Sequence, residues 1–267
     1  MDVFLNERQQ HIVAQLEKDK KVFVAALAQE LGVAPETIRR DLDALEKNKM
    51  VKRVHGGAVN FLQTNNEPHF ESKMNVRSEA KAAIGRKAAA FIQDGDTIMI
   101  DVGTTNIYLA RAISGVKDVT IVTNSLAAAD ELNKLVEAQQ FDGKIIVLGG
   151  VTNPAQKSII GALTCKMMES FRFDKLFLSC GGITTSHVSD YNFEECMVST
   201  VMVERANQVF LLADSSKIQQ ESFYQICPLA KVDYIICNQD MPLSWKQTEL
   251  DTMLQWITVL EGKDNEG

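Results

Sequence analysis

Residues 33–57, VAPETIRRDLDALEKNKMVKRVHGG, decide what the first 60 residues fold into. Proline suits the first position of a helix, where the backbone N–H has no partner in any case, so Pro35 marks a start. From there Ile38, Leu42 and Leu45 recur at the spacing of one helical face and form a stripe that must be buried. Thr37, Arg39 and Arg40 fall off that stripe, near the N-terminal end. After Lys49 the text changes to MVKRV, alternating apolar and basic, and then to His55-Gly56-Gly57, a turn that tolerates positive φ. No acidic residue occurs between 47 and 60, so Lys47, Lys49, Lys52, Arg53 and His55 make a basic stripe suited to phosphates. A helix with arginines at its leading end, followed by a basic two-stranded ribbon, is how a helix-turn-helix addresses the major groove. The expected contacts to double-stranded operator DNA are Thr37, Arg39, Arg40, Lys52, Arg53 and His55.

What precedes the stretch agrees with a winged helix-turn-helix. Glu7 to Glu17 is amphipathic through Ile12, Val13 and Leu16, and Phe23 to Leu31 reads as a short helix stopped by Gly32. TIRRDL, followed by LE and then RVHGGA, resembles the N-terminal signature of the DeoR family of bacterial repressors. That family usually places serine where Ala34 stands. A serine would cap the recognition helix, and its loss typically removes about 1 kcal/mol of helix stability.

At 267 residues the chain is comfortable for two domains. The expected division is a winged helix-turn-helix over 1–60, a linker over 61–77, a second domain over 78–261 and a disordered tail over 262–267. Net charge is −7, unevenly spread: residues 1–60 hold 10 Lys and Arg against 9 Asp and Glu, and the remainder is acidic. An acidic body on a near-neutral head excludes a non-specific polycation and suits a protein that touches DNA with one small module. The N-terminus lacks the basic-then-apolar order of a signal peptide, and no apolar run approaches the roughly 18 residues of a membrane span. The expectation is a soluble, cytoplasmic protein. The five cysteines form no CxxC pair and have no histidine at ligand spacing, so structural roles are expected, with no metal and no cofactor.

Beyond residue 78 the text alternates. TIMID (97–101), VTIVT (119–123), KIIVL (144–148), KLFLS (175–179), QVFLLA (208–213), VDYIIC (232–237) and WITVL (256–260) are apolar, β-branched runs. Helical stretches separate them at 80–93, 105–113, 125–139, 162–170, 194–206 and 245–255. Strands apolar throughout and separated by helices predict an α/β fold with a mostly parallel sheet covered on both faces. Ligands of such sheets bind beyond the carboxyl ends of the strands. Those ends carry Asp101-Val-Gly103-Thr104-Thr105-Asn106, Thr123-Asn124-Ser125, Gly149-Gly150, Gly181-Gly182 and Asp214-Ser215-Ser216-Lys217. Glycines and small hydroxyls at helix N-termini let an anion approach backbone N–H groups, and Lys217 adds a full positive charge. Asp101, Glu194, Glu195 and Asp214 supply carboxylates suited to sugar hydroxyls, so the expected ligand is a phosphorylated sugar or polyol.

DVGTT, TNS, GG, a glycine-rich segment leading into EE, and ADSSK together resemble the DeoR-family sensor domain, which is similar to ribose-5-phosphate isomerase. The resemblance spans roughly residues 7–240. It implies an effector pocket formed by Asp101, Gly103, Thr104, Thr105, Asn124, Gly149, Gly182, Glu195, Asp214 and Lys217. His187 stands where many members have glycine, Ser199 where many have lysine, and Asn238 where a Thr-Asp is common. His187 is expected to be a loop residue facing solvent, with a hydrogen bond to the effector at the pocket mouth as the alternative. Three function classes follow: a metabolite-responsive transcriptional repressor of sugar or polyol metabolism genes, a sugar-phosphate isomerase with a DNA-binding appendage, and a scaffold with a dead pocket. An isomerase needs an acid/base pair, for which Glu195 or Asp214 could serve. A switch needs only differential binding, and the repressor, acting as a homo-oligomer (dimer or tetramer) without catalytic residues, is the reading the whole pattern favours.

Overall fold

The stripe of Ile38, Leu42 and Leu45 is wholly buried in the computed structural model, which describes residues 7–19, 21–48, 50–54, 56–60, 68–246 and 254–260. The chain divides into two units, residues 1–68 and 69–267. The first contains helix α1 (Glu7–Asp19), strand β1 (Lys21–Phe23), α2 (Val24–Glu30), α3 (Pro35–Lys47), β2 (Val51–Val54) and β3 (Gly57–Asn60). Ile12 and Leu16 of α1 and Leu27 of α2 close on the α3 stripe, each at most 2% exposed. Full burial stabilises each such side chain by about 1.5–3 kcal/mol. Arg8 of α1 clamps Asp41 of α3 through both carboxylate oxygens, the Nη2 donating at 3.2 Å.

The expected basic ribbon is the β2–β3 hairpin, turned at Gly56 with φ +78°. A strand that was not expected completes it: β1 pairs antiparallel with β3, giving the order β1-β3-β2. Phe23, read as the start of a helix, is the last residue of that strand. The pairing explains Gly57, because a Cβ there would lie 2.0 Å from the carbonyl oxygen of Val22.

The second unit holds α4 (Phe70–Met74), α5 (Ser78–Ala89), β4 (Thr97–Ile100), α6 (Thr104–Ala112), β5 (Val119–Thr123), α7 (Leu126–Glu137), β6 (Gly143–Val147), β7 (Val151–Asn153), β8 (Ser158–Ile160) and α8 (Ala162–Met168). It continues with β9 (Phe173–Leu178), β10 (Gly182–Ile183), β11 (His187–Asp190), α9 (Phe193–Arg205), β12 (Ala206–Leu212), β13 (Tyr224–Pro228), β14 (Tyr234–Cys237), α10 (Leu243–Lys246) and β15 (Gln255–Thr258). All seven expected strands form one sheet in the order β15-β14-β12-β9-β4-β5-β6, and every pairing in it is parallel. Successive residues feed opposite cores. Ile98, Ile100, Phe177 and Phe210 pack among α5, α6 and α7, whereas Met99, Leu176, Leu178 and Leu211 pack among α8 and α9. Burial on both faces is why these strands read as unbroken apolar runs.

Three features depart from the sequence expectation. Residues 70–74, assigned to the linker, are helix α4, anchored by buried Phe70. A two-stranded β7–β8 hairpin and a small antiparallel sheet, β10-β11-β13, interrupt the alternation. Their strands are two to five residues long, too short to show a period. The expected helix over 245–255 is described only as α10, its remainder and the 262–267 tail lying largely or wholly outside the described residues. Among the described residues no helix is long and apolar enough to cross a membrane.

Winding proceeds from β4 outward to β5 and β6 on one side, and from β9 outward to β12, β14 and β15 on the other. The switch point therefore lies between β4 and β9, and the crevice outside their carboxyl ends is where this topology places a ligand.

Candidate nucleic-acid interface and ligand crevice

On the first unit, Arg40 is exposed and makes no hydrogen bond or ion pair among the described residues. Arg39 is also exposed, with its Nη1 2.9 Å from Glu36 one turn earlier, and Thr37 is half-buried. Arg53 is differently disposed. Its guanidinium binds Asp43 of α3 and donates to the carbonyl of Arg39 at 3.2 Å, while its backbone N–H donates to Glu46 at 2.7 Å. The basic stripe thus meets acids in space that it does not meet in sequence, and Arg53 ties the wing to the recognition helix. His55 and the side chain of Lys52 lie outside the described residues.

Ala34 occupies the N-cap of α3 in an extended conformation (φ −66°, ψ 143°), with no side-chain cap. That geometry accepts serine as it stands. Ala34→Ser should therefore stabilise the first unit by about 1 kcal/mol, seen as slower amide exchange in the first turn of α3. Unchanged exchange would show that the cap is not limiting.

In the second unit the strand ends converge as the topology requires. Asp101 follows β4 and is 1% exposed; its Oδ2 accepts from Ser199 Oγ of α9 at 3.2 Å, and its Oδ1 is buried without a partner. Asp190 ends β11, and Glu195 sits in the first turn of α9, whose N-cap Asn192 accepts from the Glu194 and Glu195 amides at 2.9 and 3.2 Å. Glu195 is buried and held by Ser158 Oγ at 2.5 Å and Asn153 Nδ2 at 3.1 Å, both from the β7–β8 hairpin; Glu194 is exposed. Burial, with like charge from Asp190 and Glu195, pushes the Asp101 carboxyl up to about 8. Burial likewise raises Asp190 and Glu195 above the ordinary carboxylate range.

A cationic group stands beside them. Asp214 lies two residues beyond β12 and accepts from Ser216 N at 2.9 Å, shaping the turn that presents Lys217. Lys217 Nζ lies 5.9 Å from the centroid of the Tyr191 ring; burial lowers this ammonium, but Tyr191, Cys180, Asp214 and Asp190 outweigh it and its pKa rises. Arg77 precedes α5 in a left-handed conformation (φ 54°) and donates to Ser215 Oγ at 3.0 Å, with its Nε 3.8 Å from Asp214. Lys81, one turn into α5, is 4% exposed, and its ammonium donates only to the Lys73 carbonyl at 2.6 Å among the described residues. Burial lowers it to about 8. Neither Arg77, Lys81 nor Asp190 was singled out from the sequence. The one local signal was a lysine inside the otherwise small, apolar run AKAAIG.

Other expected pocket residues have structural partners. Asn106 donates to three carbonyls, those of Asp101, Val102 and Phe177, at 2.9, 3.4 and 3.1 Å, pinning the loop before α6. Gly103 has φ +123°, and a Cβ there would meet Ser179 Oγ at 2.4 Å; Thr104 and Thr105 follow it, both buried at the start of α6. Asn124 donates to the Ile159 carbonyl at 3.3 Å and leaves its Oδ1 buried without a partner. The Gly149 amide points at Met167 Sδ, 3.2 Å away, and Gly182 is needed because a Cβ would lie 2.4 Å from the Gln220 carbonyl oxygen. Packing alone requires the glycine at 182, whereas a Cβ at 149 would approach only the flexible Met167 thioether, at 3.3 Å. His187 is half-buried rather than fully solvent-facing, bonded to Ser186 Oγ at 2.8 Å and 3.2 Å from Glu221. Asn238 Oδ1 accepts from the Ser215 amide at 2.8 Å and so steadies the turn before Lys217. A separate cleft of about 420 Å3 between α4, α6 and α7 is lined by Phe70, Met74, Ile107 and Arg111, and none of the strand-end carboxylates faces it. Four of the five cysteines are buried, and burial pushes the Cys227 and Cys237 thiols up to about 12 and 11.

The buried Asp101 gives a pH signature. Between the unfolded carboxylate range and pH 8 the folded protein keeps a proton on Asp101 that the unfolded chain has lost, so stability falls as pH rises. Above pH 8 the lowered Lys81 works in the opposite direction, and the raised buried thiols of Cys227 and Cys237 work in the same direction as Asp101 once the unfolded thiols ionise. The unliganded second unit should therefore lose stability from about pH 5 to pH 8. A melting temperature rising monotonically through that range would contradict this.

Comparison with known proteins agrees across both units. Residues 8–64 match the DeoR-like helix-turn-helix domain and residues 76–239 the DeoR C terminal sensor domain. An uncharacterized HTH-type transcriptional regulator of Staphylococcus epidermidis is 40% identical over 212 residues, 79% of this chain and 83% of that one. The glycerol-3-phosphate regulon repressor of Escherichia coli is 30% identical over 250 residues, 93% of this chain and 97% of that one. The HTH-type transcriptional regulator GlpR of Haloferax volcanii is 32% identical over 259 residues, covering 96% and 97%. A solved D-ribose-5-phosphate isomerase in complex with phospho-erythronic acid has a TM-score of 0.39 and 15% identity over 53% of this chain and 54% of its own, too slight a likeness to carry an argument. With a DeoR-type head and a DeoR-type sensor matched in one chain, the protein belongs to the DeoR family of helix-turn-helix transcriptional regulators.

Proposed function

We propose that this regulator represses genes of sugar or polyol metabolism and is controlled by a phosphorylated sugar or polyol bound in the crevice of its second unit. The observation that carries the reading is Lys81: a buried ammonium with no ion pair among the described residues, where Asp214 favours its charge but Lys217, Lys73 and Arg77 all oppose it. A cation held that way is unfavourable until an anion joins it. α5 leads into β4 and α6 leads out of it, so both N-termini lie at the carboxyl end of the sheet. Gly85, one turn beyond Lys81, touches the Tyr108 and Leu109 backbone, so Lys81 lies toward the first turn of α6. A phosphate there gains the amides of Gly103 to Thr105, the positive end of α6, Lys81 and Lys217. Asp101, Glu195 and Asp214 face the remainder of the ligand. The relatives named as regulators favour binding without turnover, and the crevice is read as a switch rather than as an isomerase site. A homo-oligomer, dimer or tetramer, would set two heads on paired half-sites.

Thermal-shift measurement over paired phosphorylated and free sugars tests this reading. A ligand that binds only the folded state raises the melting temperature. Stabilisation by phosphorylated members alone is expected, and equal responses to a sugar and its phosphate would overturn the phosphate assignment.

A further inference from the structure

The carboxyl groups of the crevice differ in what surrounds them. Lys81, Lys217 and Arg77 gather about Asp214, Lys73 and Lys217 act on Asp190 and Lys73 on Glu195, whereas the charged groups acting on Asp101 are Asp190 and Glu195, both acidic. Glu195 is satisfied by Ser158 and Asn153, and Asp190 Oδ1 accepts from the Tyr191 amide at 2.7 Å. Asp101 is not satisfied. Besides the Val102 backbone N–H, its one donor is the neutral hydroxyl of Ser199, itself 3% exposed, and its Oδ1 is buried without a hydrogen-bond partner. A buried carboxylate in such a place either keeps a proton or waits for a cation. Its raised pKa is the mark of that deficit. Sugar hydroxyls would supply donors but leave Asp101 without the opposite charge that Lys73 and Lys217 give Asp190, whereas an ammonium supplies three donors and that charge.

Resting on the reading of the crevice as a phosphosugar site, we propose that the effector carries a protonated amine at the end away from its phosphate and that this amine binds Asp101 Oδ1 beside Glu195 and Asp190. The ligand class is then an amino-sugar or amino-polyol phosphate, a zwitterion whose phosphate meets Lys81 and Lys217 and whose ammonium meets Asp101. Ser199 is the residue through which this chain leaves Asp101 open, since a hydroxyl in that position completes a hydrogen bond without neutralising the charge.

Titration calorimetry on the full-length protein at pH 7.5 tests it with glucosamine 6-phosphate, N-acetylglucosamine 6-phosphate and glucose 6-phosphate, and with the corresponding galactose series. At least one amine should bind about tenfold or more tighter than its hydroxyl counterpart, and acetylation, which removes the charge, should erase the advantage. Ser199→Lys places an ammonium against Asp101 from within and should cancel the preference for the amine while neutral phosphosugars still bind. Asp101→Asn, nearly isosteric, should cancel it too and keeps the test open if the lysine variant does not fold. Neutral phosphosugars binding as tightly as the amines in the wild type would overturn the inference and leave the phosphosugar site standing. No binding by any phosphorylated member, amines included, would instead reject the site itself and the inference with it.

Discussion

Replacing Lys81 with methionine should make the unliganded protein more stable and its ligand affinity much worse. The side chain is 4% exposed and its ammonium is lowered to about 8, so at pH 7 folding holds a charge in a place that disfavours it. The penalty is complete below pH 8 and fades between 8 and 10.5, as the unfolded chain loses its proton too. Methionine has a similar length and no charge, so the gain should be on the order of 2–3 kcal/mol at neutral pH. A phosphorylated ligand would lose a charged hydrogen bond, about 1.5–3 kcal/mol, or roughly 10- to 150-fold in affinity. Opposite changes in stability and binding are characteristic of a group kept for function. Urea unfolding and calorimetry read the two quantities separately. A variant that is less stable and binds as before would show Lys81 to be structural.

Arg40→Ala should be the most damaging substitution on the head for specific DNA binding, without weakening general attraction to the same degree. Arg40 is exposed and has no partner among the described residues, whereas Arg39 is paired with Glu36 and Arg53 with Asp43. An arginine reading a guanine contributes about 1–3 kcal/mol of discrimination per head. If two heads engage, the loss doubles to about 2–6 kcal/mol, on the order of 30- to 25,000-fold in the ratio of specific to random DNA. Arg53→Ala should instead weaken both kinds of DNA together, because it frees the wing from α3 rather than removing a base contact. Competition binding against selected and random duplexes distinguishes the cases, and equal losses on both for Arg40→Ala would remove it from base recognition.

Legibility in the sequence followed burial. The seven parallel strands could be read because each is covered on both faces, so that Met99 and Ile100, neighbours in sequence, are equally apolar though they serve opposite cores. The recognition helix could be read because its stripe has helical spacing and Pro35 marks its start. β1, three residues long, could not, since its strand character comes from pairing with β3 and not from its own composition. In the crevice, Asp101, Asp214 and Lys217 lie directly after strands, where topology alone puts a site. Lys81 and Asp190 do not: one needs the packing of α5 on α6, the other the small antiparallel sheet, before either reaches the crevice. Gly182 illustrates the reverse, a glycine after a strand that the nearby Gln220 backbone explains by itself.

The central claim is that a ligand in the crevice alters the DNA affinity of the head. Its most direct test is fluorescence anisotropy of a duplex selected by the protein from a random pool, titrated with and without saturating amounts of the tightest-binding phosphosugar, with the ligand then titrated in the presence and absence of that duplex. The account predicts a change in DNA affinity of roughly 5- to 150-fold, matched by an equal change in ligand affinity when DNA is bound, because the two are linked. A ligand that binds the crevice tightly and leaves DNA affinity unchanged would contradict it.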